Sequence, residues 1–428
     1  MAETGPRYGW YGDDFTGATD TLATLAEAGQ RALLFLRIPT AQQLASAGPL
    51  DAVGIAGATR AMAPEAMARE LEEAGRFFAT LGIGLLHYKC CSTFDSAPDV
   101  GSLGAAARAL RAHFPNPCLP VIGGQPNLGR YCLFGTLFAA AGAGGVVHRI
   151  DRHPTMSVHP VTPMGEADLR RHLAAQGLKR VPLVDYRSHD GEGAGEALGA
   201  ALAVEPEAVL FDVSRPSDLA AIGALLRERM SAGPMLAIGA SSVAQAIAGF
   251  PQTPKAEMPK LARSASRGNL LALVGSLSPV TRAQVELAQG YERIAIDPAR
   301  LTGEPVYLDD LRAETIACLT QRNVMLITDK PAGVPAETGK VAAATGALLR
   351  AIMSDARIKR LVVAGGDTST LAIRSLDLWG LSYRSSCTPG APLCRGHSDD
   401  PRLDGLDIVL KGGQMGTPDF FNRVSETN

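Results

Sequence analysis

Short apolar runs alternate with Ala- and Leu-rich stretches of helical spacing along most of the 428 residues, and the alternation breaks once. A chain that switches repeatedly between strand-length and helix-length apolar segments builds mainly parallel sheets with helices on their faces. Residues 32–37, 51–57, 82–89, 118–124, 145–150, 181–186 and 208–214 read as strands. Met67, Leu71, Ala74 and Phe78 recur at helical spacing, and Pro64 suits a first helical turn. Near 249–268 the pattern gives way to GFPQTPKAEMPKLARSASRG, which lacks periodicity and reads as a linker. A second alternating series follows at 269–276, 292–297, 323–329, 360–366 and 407–413. The expected architecture is α/β, with two domains of mainly parallel sheet and a cleft between them. The first spans 1–250, a linker 251–267, and a smaller second domain 268–428.

Composition excludes several function classes. The formal net charge is −2, so no basic field exists to hold a nucleic-acid backbone, whereas a small anion needs only a local cluster of donors. The seven cysteines are scattered without CxxC spacing, which argues against a zinc site and suits a reducing cytoplasm. The opening MAETGPRYGW has no apolar run of the signal-peptide kind, and no apolar stretch approaches the ~20 residues of a spanning helix. A soluble cytoplasmic protein with a small-molecule partner is expected, with neither nucleic acid nor membrane.

The segment GWYGDDFTGATDTLATLAEAG sets two carboxylates, Asp13 and Asp14, between an apolar start and a helical pattern. Adjacent acids oppose each other's ionisation, so a cation, a substrate hydroxyl or solvation must relieve them. The segment HYKCCSTFDSAPDVGSLG delivers Lys89 from a strand, then Ser92, Thr93, Asp95 and Ser96 in a turn. Lysine neutralises anions, hydroxyls bond carboxylates or sugars, and Asp95 can accept from polyol hydroxyls. The same residues also make an ordinary turn with a solvated lysine. Arg60 follows a strand, where its guanidinium can pair bidentately with a carboxylate. The proline-rich stretch 151–173 adds Arg152, His153 and His159, of which His159 can ligate or transfer protons and His153 suits a rigid loop.

Three strand ends in the second half carry glycine or hydroxyl turns. In VGSLSPVTRAQVELAQG, Ser278 can cap a helix that begins at Pro279. In VVAGGDTSTLAIRSL, Gly365 and Gly366 turn the chain and Thr368 or Ser369 can cap the next helix. In LKGGQMGTPDFF, Gly412, Gly413 and Gly416 precede a helix start at Thr417–Pro418. Glycine lets backbone N–H groups approach an anion, and helix N-termini add favourable partial charge. Neither GxxxxGK[ST] nor GxGxxG occurs, so the common nucleotide fingerprints do not apply.

In this order, GDDFTGATD, YKCCSTFDSAP, DRHPTMSVHPVTPM, GSLSPVT, AGGDTSTLA and KGGQMGTPDFF resemble the four-carbon acid sugar kinase family, over residues 9 to 421. The resemblance implies an acid-sugar-binding N-terminal domain, a nucleotide-binding C-terminal domain, and ATP-dependent phosphorylation of a terminal hydroxyl with Mg²⁺. Implied substrates are threonate, erythronate and 3-oxo-tetronate, giving 4-phosphates. Nucleotide contacts are implied at Ser276, Ser278, Gly365, Gly366, Asp367, Thr368, Gly412 and Gly413. The acid sugar is implied to meet the Asp13–Asp14 turn and the segment with Lys89, Ser92, Thr93, Asp95 and Ser96, and Arg60, Arg152 and His159 join the candidate contacts from their chemistry, with Lys89 and Arg60 expected on the substrate carboxylate. Asp14, then Asp13, is expected to take the proton of the attacking hydroxyl. Many members read KSGNFG where this chain has KGGQMG, and GWYGDDFTG with DRHPTM resembles a subgroup that includes kinases of branched oxo-acids such as 3-oxo-isoapionate. A homodimer is expected because such enzymes are commonly symmetric. Two rivals are a non-catalytic sensor that keeps the binding sites, and a dinucleotide oxidoreductase, which the missing Rossmann fingerprint disfavours.

Overall fold

The computed structural model describes residues 5–159, 161–191, 193–248, 269–275, 278–328 and 338–426. The chain divides into two compact units, Met1–Met258 and Pro259–Asn428. The linker expected over 251–267 lies outside the described residues.

The first unit contains β1 (Tyr8–Gly12), β2 (Ala32–Phe35), β3 (Ala52–Ala56), β4 (Leu85–Lys89), β5 (Pro120–Gly123), β6 (Arg130–Leu133), β7 (Thr136–Ala140), β8 (Val147–Arg149), β9 (Leu183–Val184), β10 (Val209–Asp212) and β11 (Met235–Gly239). Its main sheet runs β2-β3-β1-β4-β11-β5-β10-β9, parallel throughout. Strands buried on both faces need continuous apolar runs, and β1, β3, β4 and β11 are buried at every position. The helix Pro64–Thr80 buries Met67, Leu71, Ala74 and Phe78, the stripe its spacing predicts. Each large side chain so buried contributes about 1.5–3 kcal/mol of transfer free energy. The run at 145–150 does form a strand, but β8 joins β6 and β7 in a small antiparallel sheet, where Val147 is exposed.

The second unit contains β12 (Leu270–Val274), β13 (Tyr291–Ile296), β14 (Asn323–Thr328), β15 (Arg360–Ala364), β16 (Gly380–Thr388), β17 (Ala391–His397) and β18 (Asp407–Lys411). Here the order is β13-β14-β12-β15-β18-β17-β16, parallel from β13 to β18. The remaining pairs, β18–β17 and β17–β16, are antiparallel. This hairpin is absent from the sequence-based expectation, because GLSYRSSCT shows hydroxyls and an arginine where a buried strand would show an apolar run.

Both units wind alike at the start. From β1 the chain goes out to β2, returns to β3, and crosses to β4 on the far side of β1. From β12 it goes out to β13, returns to β14, and crosses to β15 on the far side of β12. Each sheet therefore has a winding reversal near its start, between β1 and β4 and between β12 and β15. In open α/β sheets the carboxyl ends of strands at such a point form a binding crevice.

Candidate functional site

In the first unit the strands at the reversal end level, with Gly12 opposite Ala56 and Lys89, and Lys89 opposite Gly239. The residues just beyond these ends emerge together. Asp14 has extended backbone and caps the helix Phe15–Glu27, its Oδ1 accepting from the Gly17 amide at 2.7 Å. The Thr16 hydroxyl donates to its Oδ2. Arg60, after β3, relieves the two acids: Nη2 and Nε donate to Asp13 at 2.8 and 3.1 Å, and Nη1 donates to Asp14 at 2.9 Å. All three groups are largely buried, with the Arg60 side chain 16% exposed and each carboxylate 5%. Burial pushes the Asp13 carboxyl above its ordinary range, against the pull of Arg60 and with the repulsion of Asp14.

Lys89 is also buried, and its ammonium donates to the Cys90 carbonyl at 2.7 Å. A Cβ on Gly17 would lie 2.6 Å from Lys89 Nζ and 2.7 Å from Asp14 Oδ1, so a glycine in the first turn makes room for the ammonium. Beyond β4, Thr93 donates to Asp95 at 2.6 Å, and Cys91 Sγ lies 2.9 Å from the Thr93 hydroxyl. Burial works to raise the Asp95 carboxyl. The Arg60 charge, bonds from Cys91 and Thr93, and His159 outweigh it and hold Asp95 near 2. Burial and the neighbouring Asp95 push the Cys91 thiol up to about 12.

The predicted residues thus separate. Asp13, Asp14, Arg60, Lys89, Thr93 and Asp95 gather at the reversal, and His159 is close enough to act on Asp95. His159 Nδ1 lies 3.1 Å from both the amide and the hydroxyl of Thr162. Ser92 is buried on the same turn. Ser96 instead joins a buried network, 2.8 Å from His172 Nε2 and 2.9 Å from the Gln176 amide. Arg152 is 76% exposed and sits 3.9 Å from Asp151. His153 braces its loop, accepting from the amides of Thr155 and Met156.

In the second unit three turns meet. Gly275 follows β12 and donates to Ala364, and Gly365 follows β15 and donates to Lys411, at 2.9 and 2.8 Å. A Cβ on Gly275 would sit 2.0 Å from Thr368 Oγ1, so these two turns touch and only glycine fits. Gly365 has φ 127° and is itself the cap of the helix Gly366–Arg374. Thr368 and Ser369 therefore lie inside the first turn and do not cap it. Ser278 caps the helix Pro279–Leu287 as expected. Its hydroxyl and that of Thr281 donate to the Gly413 carbonyl, which ties the turn after β18 to this helix. Ser276 lies outside the described residues, as does the side chain of Asp367.

Sequence reasoning missed the residues that hold these turns. Lys411 is fully buried, and its ammonium donates to Thr281 Oγ1, Gly412 O and Met415 O at 3.0, 3.0 and 3.2 Å. Burial lowers it to about 7. Gln284 donates to the carbonyls of Met415 and Thr417. In the first unit Arg130, Gln125 and Asp20 were missed; Gln125 Nε2 donates to Asp20 at 3.1 Å. A lysine before two glycines is the one visible signal among these.

Two family models match the chain: a sugar-binding N-terminal domain over residues 8–247 and a nucleotide-binding C-terminal domain over 271–421. The 3-oxo-isoapionate kinase of Paraburkholderia graminis is 38% identical across 97% of this chain and 93% of its own. A 3-oxo-tetronate kinase of Methylobacterium radiotolerans is 31% identical across 97% and 98%. Among solved structures, a Salmonella typhimurium protein named as a candidate tRNA synthase superposes with a TM-score of 0.76, at 26% identity over 98% of both chains. A Haemophilus influenzae protein shares the fold, with a TM-score of 0.69 at 23% identity over 97% and 98%.

Proposed function

This chain belongs to the four-carbon acid sugar kinase family, in which a sugar-binding N-terminal domain precedes a nucleotide-binding C-terminal domain, and from that premise we propose that it is an ATP-dependent kinase of a 3-oxo sugar acid. The observation that carries the proposal is the contrast at the two winding reversals. One presents buried acids and cations suited to a polyol, and the other presents glycine turns suited to phosphates. Substrate preference follows the relatives. The 38% likeness to a 3-oxo-isoapionate kinase favours the branched acid over 3-oxo-tetronate, whose kinase is 31% identical.

In the proposed reaction the terminal hydroxyl oxygen of the acid bonds to the γ-phosphorus, and the bridging P–O bond to ADP breaks. The hydroxyl proton passes to a carboxylate. Asp13 is proposed as the base ahead of Asp14, since Asp14 is committed to capping its helix and burial raises the Asp13 carboxyl above its ordinary value. Arg60 holds both carboxylates in place. Lys89, beside Asp14, adds positive charge where the attacking oxygen must sit, and Thr93 and Asp95 face polyol hydroxyls.

The phosphates would lie on the backbone of Gly275, Gly365, Gly366, Gly412 and Gly413, with the hydroxyl of Thr368. The cradle fits a polyanion because a Cβ at Gly275 would collide with Thr368. Mg²⁺ would arrive with the nucleotide and neutralise charge on its phosphates. Such an ion needs one or two carboxylates and water, and among the described residues no group of three or more His, Cys, Asp or Glu is placed to cage one. Dependence on ATP points to the cytoplasm, and among the described residues no helix is long and apolar enough to cross a membrane.

An ADP-release assay over 3-oxo-isoapionate, the 3-oxo-tetronates, and both enantiomers of threonate and erythronate tests the proposal. Acid-dependent ADP formation, fastest with a 3-oxo acid, is expected. Binding of an acid without ADP release would replace the kinase by a sensor.

A further inference from the structure

A sugar acid brings a carboxylate, and the cation expected to meet it is already engaged. Arg60 directs three of its donors onto Asp13 and Asp14. Lys89 donates to the Cys90 carbonyl and stands near Asp14 at Gly17. A second arginine stands beside this cluster. Arg130 opens β6, is 5% exposed, and interacts electrostatically with Cys91, Asp95 and Asp20.

Its donors are only partly met. Nη1 donates to the Leu128 carbonyl, whereas Nε is buried without a partner. A buried guanidinium edge left unpaired is costly, and native structures satisfy nearly all such groups. Burial accordingly lowers the Arg130 pKa, against the pull of the neighbouring acids. Gln125 stands across from it. The two backbones form an antiparallel bridge, with the Gln125 amide donating to Arg130 at 2.8 Å and the Arg130 amide to Gln125 at 3.2 Å. Bridged residues present their side chains on one face. Gln125 is fully buried, its Nε2 is used on Asp20, and its Oε1 has no partner. An unmet cationic donor and an unmet acceptor thus sit on two bridged residues, and Asp95 and Asp20 act electrostatically on the arginine.

We propose that Arg130 and Gln125 form the subsite for the α-hydroxy-carboxylate end of the substrate. The carboxylate pairs with the Nε edge of Arg130, and the adjacent hydroxyl donates to Gln125 Oε1. This assignment rests on the sugar-acid reading and sharpens it. Arg60 positions the acids, and Arg130 recognises the substrate.

The test compares wild type with Arg130→Gln and Arg130→Lys, using 3-oxo-isoapionate, 3-oxo-tetronate and D-erythronate, each beside its carboxamide. Charge-assisted bonds to a carboxylate carry about a 10- to 150-fold affinity difference. Arg130→Gln is therefore expected to raise KM for the acid about 30- to 100-fold, with kcat within ~3-fold and the carboxamide unaffected. Arg130→Lys keeps charge and bulk but loses the fork, and is expected between the two. If Arg130→Gln fails to fold, the Lys variant and the wild-type preference for acid over carboxamide still decide. An unchanged KM for the acid, or equal losses for acid and carboxamide, would overturn the subsite alone. A wild type that phosphorylates none of the probes would overturn the kinase reading and the subsite with it.

Discussion

The two units begin with the same winding and put opposite chemistry on it. At the first reversal, between β1 and β4, the strand ends carry Asp13, Asp14 and Lys89, with Arg60 from the turn after β3, all largely buried. At the second, between β12 and β15, the strand ends carry Gly275 and Gly365, which offer backbone in place of side chains. Topology supplies the crevice, and the residues on the strand ends decide its ligand. A site that must distinguish hydroxyls and take a proton needs side chains held in one geometry. A site for a polyanion needs N–H groups and little else.

Substitutions can break this comparison, and the largest effect belongs to the charged site. Asp13→Asn is expected to lower kcat by about 10²- to 10⁴-fold, the usual worth of a positioned base. Nucleotide affinity, measured by calorimetry without the acid, should stay unchanged. Equal losses in Asp14→Asn with an intact Asp13 variant would transfer the base to Asp14.

Next in size is stability. Arg60→Met leaves two buried carboxylates uncompensated, and breaking a buried pair in this way costs about 3–5 kcal/mol. Chemical denaturation should show that loss, and a double variant with Asp13→Asn should recover part of it.

In the second unit Gly275→Ala drives a Cβ against Thr368. Overpacking of this kind costs about 1–3 kcal/mol, and the expected readout is a KM for ATP raised about tenfold with acid affinity untouched. A matching loss of acid affinity would contradict the separation of the two sites.

Further effects are pH-dependent, and they fall in different windows. His87 is held near 3 by burial and Asp95 near 2, both below their unfolded values. The unfolded chain takes up their protons first, so the first unit loses stability as pH falls below 6.5 for His87 and below 3.8 for Asp95. Lys411 is lowered to about 7 from 10.5. Between those values the unfolded chain binds the extra proton, so stability rises with pH, by at most about 1.4 kcal/mol per unit. Melting temperatures of wild type minus Lys411→Met, taken from pH 7 to 9, should show that slope. A flat difference would mean that Lys411 titrates normally.

Much of this was legible in the sequence, where local rules govern. Helix Pro64–Thr80 follows from one apolar stripe, and Ser278 caps because Pro279 follows it. Long-range partners obscured the rest. Nothing near Arg130 in sequence says that it will be buried, and the KGG run marks Lys411 without showing that Thr281, 130 positions away, will receive its ammonium. The β16–β17 hairpin was hidden by its polar residues, and the pairing of Arg60 with Asp13 by the 47 positions between them. Composition marks a core, but it does not mark which buried ion answers which.

The most direct test is phosphorus NMR of the reaction with ATP, Mg²⁺ and 3-oxo-isoapionate. The expected result is one new phosphomonoester signal, growing in step with ADP and absent without the acid. ADP accumulating alongside free phosphate and no phosphomonoester, at the same rate with or without acid, would contradict it.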